Sequence, residues 1–375
     1  SLYGQEIQPR VLAIAKIRLF INGNEDANLC LGDALLQPAF TNGESLQKFD
    51  YVAMNSPLSM RMGQYETIKQ DEYNQFFYGL PSRSHADYAF LSHLLASLKS
   101  TGRAVTVVTE GTLFRGGREG QIRSNIIAAD LVEAVVALPA GLFRQMGIPV
   151  SLLVLNKNKE TSRKNKILFV KANEHFTENG RRRYLTEDVI QKIADVIQHG
   201  IEERSFSKYV HIKDLVNNNL NVSRYVLPEE LTIEGFGKVY FNLDELEEVK
   251  GIPLKEVATF FTGYNLTSKN KENDNARFKI VRLSDVEDGQ LLLKKIKRYE
   301  IKNNAKVDTY KLKKGDVVLS IRGTNLKTAV IPVEDEHLLL SQNFIGIRCS
   351  NRINPYFLKT FLESPLGQYM LLNQM

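Results

Sequence analysis

Apolar and polar positions in the first half of the chain switch repeatedly between the period of a strand and that of a helix. Residues 2–7 read as a short strand. Residues 8–21 read as a helix with Val11, Leu12, Ala15 and Leu19 on its buried side. Residues 28–31 and 49–54 read as strands, stopped by Gly32-Asp33 and Asn55-Ser56-Pro57. Residues 87–98 carry a helical stripe of Tyr88, Phe90, Leu91, Leu94, Leu95 and Leu98, closed by Thr101-Gly102. Residues 104–109 form an uninterrupted apolar and β-branched run, the pattern of a strand buried on both faces. A helix over 120–129 and strands over 131–137, 150–155 and 167–170 complete the series, with 167–170 expected to be the last strand. Strands alternating with helices predict an α/β fold built on a mostly parallel, Rossmann-like sheet with helices on both faces.

Beyond residue 175 the pattern changes. Residues 186–203 are helical, with Thr186-Glu187-Asp188 supplying a cap and an acidic first turn. Residues 207–236 are short, polar and asparagine-rich, the composition of a linker or peripheral structure. From near Val249 the chain reads as strands with turn punctuation, over 277–283, 314–321, 327–332 and 343–348, followed by a short helix over 354–362. This second part is expected to be mixed α+β and rich in strand.

Composition narrows the class. The chain has 375 residues, 43% hydrophobic and 25% charged, which is ordinary for a folded globular protein of two or so domains. No run of about 18 apolar residues occurs, so no membrane span and no membrane partner is expected. Cys30 and Cys349 are too few and too far apart for a disulfide framework or a cysteine metal cluster. No metal site is expected, and the cytoplasm is the expected compartment.

Charge is unevenly spread. The net charge is +6, of which residues 1–236 contribute 27 basic against 26 acidic side chains, and residues 237–375 contribute 22 against 17. The segment 277–327 alone holds 14 basic and 6 acidic side chains. Such an excess fits a polyanion contact, most often nucleic acid, or else a solvated lysine-rich surface.

Three expected strand ends carry polar residues, and ligands of open α/β sheets bind outside the carboxyl ends of their strands. Glu6 follows the first strand, where a carboxylate can accept from two ribose hydroxyls. Asp33, in Gly32-Asp33-Ala34-Leu35, follows the second and can accept from an adenine amino group. Asn55-Ser56-Pro57-Leu58 follows the third. Each also fits a plainer role, as a helix cap or a turn.

The order of these blocks resembles the adenine-N6 DNA methyltransferase (modification) subunit of type I restriction-modification systems. The resemblance runs from Gly4 to about Val170. It rests on Gly4-Gln5-Glu6-Ile7, Gly32-Asp33-Ala34-Leu35, the strand leading into Asn55-Ser56-Pro57-Leu58, Tyr78-Gly79-Leu80-Pro81, His85-Ala86-Asp87-Tyr88-Ala89-Phe90-Leu91, Leu113-Phe114-Arg115-Gly116-Gly117, Glu119-Gly120-Gln121-Ile122-Arg123, Leu138-Pro139-Ala140-Gly141-Leu142-Phe143 and Gly147-Ile148-Pro149. The later part resembles one target-recognition domain of a type I specificity subunit, on Val281 to Gly289, Lys314 to Gly323 and Ser341 to Arg348.

The resemblance implies a methyltransferase core over 1–175, a helical or irregular linker over 176–236, and a DNA target-recognition domain over 237–375. It implies S-adenosylmethionine as cofactor, held by Glu6, Ile7, Asp33 and Ala34. Double-stranded DNA is the implied partner, with restriction and specificity subunits or a second copy of the chain. Asn55, Ser56, Pro57 and Leu58 correspond to the catalytic tetrapeptide, usually Asn-Pro-Pro-Phe, with Tyr88 or Phe143 as candidate walls of a base pocket. Arg115, Lys294, Lys295, Lys297, Arg322 and Asn325 are candidate DNA contacts. Two departures stand out. The family's glycine-rich methionine-binding motif precedes the segment that opens this chain, so the sheet is expected to be incomplete at its N-terminus and the chain to be a fragment. The tetrapeptide reads Asn-Ser-Pro-Leu, without the aromatic. The alternative these departures leave open is a degenerate methylase that only binds DNA or assists assembly.

Overall fold

The computed structural model describes the chain except residues 144–146, 181, 234, 243–244, 247–250, 268–269, 302–306, 322–325 and 375. The chain divides into two compact units, Ser1–Leu227 and Pro228–Met375.

The first unit opens with β1 (Tyr3–Glu6), α1 (Pro9–Ile21) and β2 (Asn28–Leu31). β1 and β2 pair in parallel as a sheet of their own, with Glu6 opposite Leu31. Helix α1 differs from its expected burial: of the expected face Leu12 is buried, Ala15 and Leu19 are half-buried and Val11 is exposed, and Ile14, Ile17, Phe20 and Ile21 are exposed as well. The helix rests on this two-stranded sheet, which covers one narrow face of it. An aromatic cluster ties β1 to the main sheet, with the Tyr3 ring 5.2 Å from that of Phe40 and 5.2 Å from that of Phe49.

The main sheet comprises β3 (Phe49–Met54), β4 (Leu98–Thr109), β5 (Val132–Leu138), β6 (Val150–Asn156), β7 (Lys166–Lys171) and β8 (Ser207–His211). Its strands lie in the order β8-β7-β5-β6-β4-β3. Helix α2 (Asp87–Ala96) links β3 to β4, and α3 (Glu110–Phe114) and α4 (Gly117–Ala128) link β4 to β5.

The sheet is mixed rather than mostly parallel. β3 runs parallel to β4, and β5 parallel to β7. β6 is antiparallel to both its neighbours, β4 and β5. The reason is local: no helix is assigned among the described residues between β5 and β6, and a strand that returns without a crossover must run antiparallel. A further strand was not expected at all. β8 pairs antiparallel with β7 at the sheet edge, after α5 (Glu187–His199). The polar stretch around it hides core residues: Val210, Leu215, Leu220, Val222 and Val226 all pack into the cluster built by α2, α4 and the sheet. Residues 207–226 are therefore part of this unit's core and not a linker.

The second unit begins with a hairpin of β9 (Glu230–Ile233) and β10 (Gly237–Tyr240). Four antiparallel strands follow as one sheet: β11 (Ala258–Thr262), β14 (Val317–Ser320), β15 (Thr328–Val330) and β17 (Phe344–Cys349), in the order β11-β17-β14-β15. A second sheet holds β12 (Phe278–Val281) between β13 (Arg298–Tyr299) and β16 (Leu338–Leu340), with β12 and β16 parallel. Helices α6 (Pro355–Glu363) and α7 (Pro365–Gln374) close the unit. The Gly315-Asp316 turn is fixed by a buried carboxylate. Asp316 receives Arg348 through Nε at 2.9 Å and Nη2 at 2.7 Å, and accepts from the Lys313 backbone N–H at 2.8 Å.

Candidate active site

The parallel strands β3, β4 and β5 end on the same edge of the main sheet. Of the three polar segments named from the sequence, Asn55-Ser56-Pro57-Leu58 follows one of those ends, that of β3, whereas Glu6 and Asp33 stand at the ends of β1 and β2 of the separate two-stranded sheet. Asn55 comes directly after β3 and is exposed, as is Pro57; Ser56 and Leu58 are half-buried. The Asn55 amide has no hydrogen bond to another described residue, so its oxygen and its two N–H groups are open to a ligand. Leu58 and Phe143 pack into one hydrophobic cluster with residues of β5 and β6, so Phe143 does lie in the cluster that backs the tetrapeptide. Tyr88 does not serve as a pocket wall. It is 2% exposed, its hydroxyl donates to the Thr112 carbonyl at 2.8 Å, and burial pushes its phenol up to about 12.

A short network holds the loop after the tetrapeptide. Asp87, at the start of α2, accepts the Ser59 backbone N–H at 3.3 Å. Ser59 has φ of 54°, a left-handed conformation that a serine adopts at a cost and that this contact helps to fix. The other Asp87 oxygen faces Arg115 Nη1 at 3.6 Å and makes no hydrogen bond within the described structure. Arg115 also donates to Glu119 at 3.0 Å and to Thr109 Oγ1 at 3.3 Å. Arg115 is therefore committed to two buried carboxylates and is not a free phosphate contact. Sequence reading missed Asp87 and Glu119 in this role; the one signal was Asp87, the single acid of an otherwise largely apolar helix, whereas Glu119 lies among the polar residues Arg118, Gln121, Arg123 and Asn125.

Glu6 and Asp33 sit at adjacent ends of β1 and β2. Each also does the plainer job. Glu6 Oε1 accepts the Gln8 backbone N–H at 2.8 Å, at the start of α1. Asp33 Oδ1 accepts the N–H groups of Leu35 at 2.9 Å and Leu36 at 3.2 Å. Each carboxylate keeps its second oxygen outside these bonds. Ile7 is exposed beside Glu6, and Ala34 is half-buried beside Asp33.

A second network sits behind the Asp33 turn. Gln75 Nε2 donates to the Leu35 carbonyl at 3.2 Å, and Gln75 Oε1 meets His93 Nδ1 at 2.7 Å. With Oε1 as acceptor, His93 Nδ1 carries the proton. The His93 ring is packed round by protein, and burial lowers its pKa to about 4, with Asp33 opposing the shift. Glu110, directly after β4, is a further strand-end acid that sequence reading passed over; burial pushes its carboxyl up.

In the second unit the lysine cluster is largely neutralised. Lys295 pairs with Glu287 at 3.1 Å and Lys297 with Glu272 at 2.5 Å. Lys294 is exposed and has no ion-pair partner among the described residues. Arg322 and Asn325 lie outside the described residues.

The sequence profile of the N-6 DNA methylase family matches residues 1–233, and the chain belongs to that family. It is 35% identical over 269 residues to the type I restriction enzyme MjaVII methylase subunit of Methanocaldococcus jannaschii, covering 68% of this chain and 44% of that protein. It is 31% identical over 246 residues to the HindI methylase subunit of Haemophilus influenzae, covering 63% and 54%. Among solved structures, the type I restriction-modification methyltransferase subunit of Streptococcus thermophilus aligns with a TM-score of 0.55 and 29% identity, over 60% of this chain and 48% of that one. The chain thus spans about half the length of the curated relatives it matches.

Proposed function

We propose that the chain carries the methyl-transferring part of a site-specific adenine-N6 DNA methyltransferase of a restriction-modification system, with S-adenosylmethionine as methyl donor. The observation that carries the reading is the open Asn55 amide at the carboxyl end of β3, together with the acids Glu6 and Asp33 at the ends of the paired strands β1 and β2, in the order the resemblance requires. Glu6 and Asp33 would hold the adenosine half of the cofactor, which supplies an electrophilic sulfonium methyl group.

The chain's own residues act on the adenine. Its exocyclic amine is a poor nucleophile because the lone pair is delocalised into the ring. Asn55 Oδ1 and the Ser56 carbonyl accept the two amine hydrogens and localise that pair, a task of fixed dipoles and positioning. The amine nitrogen gains the methyl carbon, the carbon–sulfur bond breaks with its electrons staying on sulfur, and one amine proton leaves to solvent. The adenine must first leave the duplex. Leu58 and Phe143 offer it an apolar wall with one aromatic, where base–aromatic stacking is worth about 1–3 kcal/mol.

The second unit is the proposed target-recognition part, supported by its basic excess and its resemblance to a specificity-subunit domain. The relatives are named as subunits of restriction enzymes, which supports assembly with restriction and specificity subunits or with a second copy. The test is transfer of tritiated methyl to duplex DNA. Asn55→Ala should abolish incorporation and leave duplex affinity within about twofold. Undiminished incorporation would overturn the site.

A further inference from the structure

The segment 59–87, which leads from the tetrapeptide to α2, is a built structure. Met62, Ile68 and Phe76 bury themselves against Leu35, Ala86 and Ala89. Its two ends are stitched together beside the tetrapeptide. The Met62 N–H donates to the Arg83 carbonyl at 3.2 Å, the Ala86 N–H to the Met60 carbonyl at 2.8 Å, and the Ser59 N–H to Asp87.

On this segment lies a cleft of about 520 Å³, lined by Tyr65, Lys69, Leu80, Ser82, Arg83 and Arg118. Its volume falls in the range of pockets that take small organic groups. Three of the six side chains are cationic, and one carboxylate, Glu66, answers them: it pairs with Arg83 and lies 3.7 Å from Lys69. Arg118 has no carboxylate partner among the described residues. It is exposed, and its Nη1 donates to the Tyr65 hydroxyl at 2.6 Å, which holds the guanidinium at the cleft. The Arg83 guanidinium lies over the face of the same ring, 4.8 Å from its centroid.

We infer that this cleft seats the sugar-phosphate backbone of the DNA strand next to the flipped adenine, an inference that rests on the DNA methyltransferase reading above. The charge is right for a phosphate: three cations against one acid leave an excess of two. The wall is right for a sugar, with Leu80 and the Tyr65 ring beside the cationic groups. The place is right as well. Arg83 and Ser82 sit on the strand of chain that is hydrogen-bonded to residues 60–62, immediately past Asn55-Ser56-Pro57-Leu58. A backbone gripped here would be held at short range from the base presented to Asn55, and would carry no sequence information.

The experiment is a salt titration of duplex binding by fluorescence anisotropy, comparing the unmodified protein, Arg118→Gln with Lys69→Gln, and Arg118→Lys. Both side chains are exposed, and an unchanged melting temperature verifies the fold. The double variant should weaken binding by the same factor for every duplex sequence. It should also flatten the slope of log affinity against log salt by about one, the share of one phosphate contact. Arg118→Lys should keep the slope. An unchanged slope in a double variant that still binds duplex would overturn the seat and leave the DNA reading standing. A loss confined to one sequence with the slope unchanged would make Arg118 a base reader and overturn it equally. Failure of the unmodified protein to bind any duplex would contradict the DNA reading itself, and the seat with it.

Discussion

Ser59 donates its backbone N–H to the carboxylate of Asp87, 28 residues further along the chain, at 3.3 Å. That contact places the loop behind the tetrapeptide on the first turn of a buried helix, so the catalytic candidate Asn55 is positioned by a residue that need not touch substrate. Asp87→Ala should lose the loop anchor and leave Arg115 facing Glu119 alone. The expected cost is about 1–3 kcal/mol, the range for breaking a buried polar contact. Urea unfolding measures it, and hydrogen exchange at the Ser59 amide should accelerate in the variant. An amide that exchanges as in the unmodified protein would show that Asp87 does not hold the loop.

His93 gives a pH dependence with a definite sign. Its folded pKa is lowered to about 4, below the ordinary value of 6.5. A lowered histidine pKa means that the unfolded chain binds the proton first. Stability from this group is present above about pH 6.5 and drains away as the pH falls toward 4, by up to about 3 kcal/mol. His93→Gln should flatten that part of the stability profile. Comparing urea midpoints of the two proteins at pH 4.5 and 7 checks it, and equal losses in both would rule the group out.

Gly263 follows β11 where it passes the backbone of Ser341. A methyl group there would lie 2.0 Å from the Ser341 carbonyl oxygen. Backbone cannot yield as a flexible side chain can, so Gly263→Ala should cost about 1–3 kcal/mol or more. Gly251→Ala, where nothing lies within 4 Å, should stay within about 0.5 kcal/mol. Equal effects at the two positions would contradict the packing described for this unit.

Lys295 and Lys297 already face carboxylates, which leaves Lys294 as the unpaired member of that cluster among the described residues. On the DNA reading, Lys294→Glu alone should reproduce most of the loss of salt dependence expected of a triple variant in which Lys294, Lys295 and Lys297 are all changed to glutamate. A triple variant far weaker than the single one would show that the ion pairs open on binding.

Much of the first unit was legible because its strands are apolar runs with sharp polar ends; residues 49–54 form a strand with the bounds expected. What was not legible follows from causes beyond local pattern. The direction of β6 goes with a connection from β5 in which no helix is assigned among the described residues, which periodicity does not report. β8 was hidden because an edge strand needs few apolar residues, and asparagines around it dominate the composition. The tetrapeptide was visible as a turn after a strand, but its supports were not. Asp87, Gln75 and His93 lie far from Ser59 and Leu35 in sequence, and only packing brings them together. Arg115 shows the opposite error: a charge in a glycine-rich turn looked available for phosphate, and the fold had already paired it.

The central claim, adenine-N6 methylation of DNA through Asn55, is tested most directly by mapping base methylation in genomic DNA. The strains to compare are cells with the intact gene, cells without it, and cells whose Asn55 codon is changed to alanine. A sequence motif bearing N6-methyladenine should be present with the intact gene and lost in the other two. Persistence of that motif in the Asn55→Ala cells, or no difference between intact and deleted cells, would contradict the account.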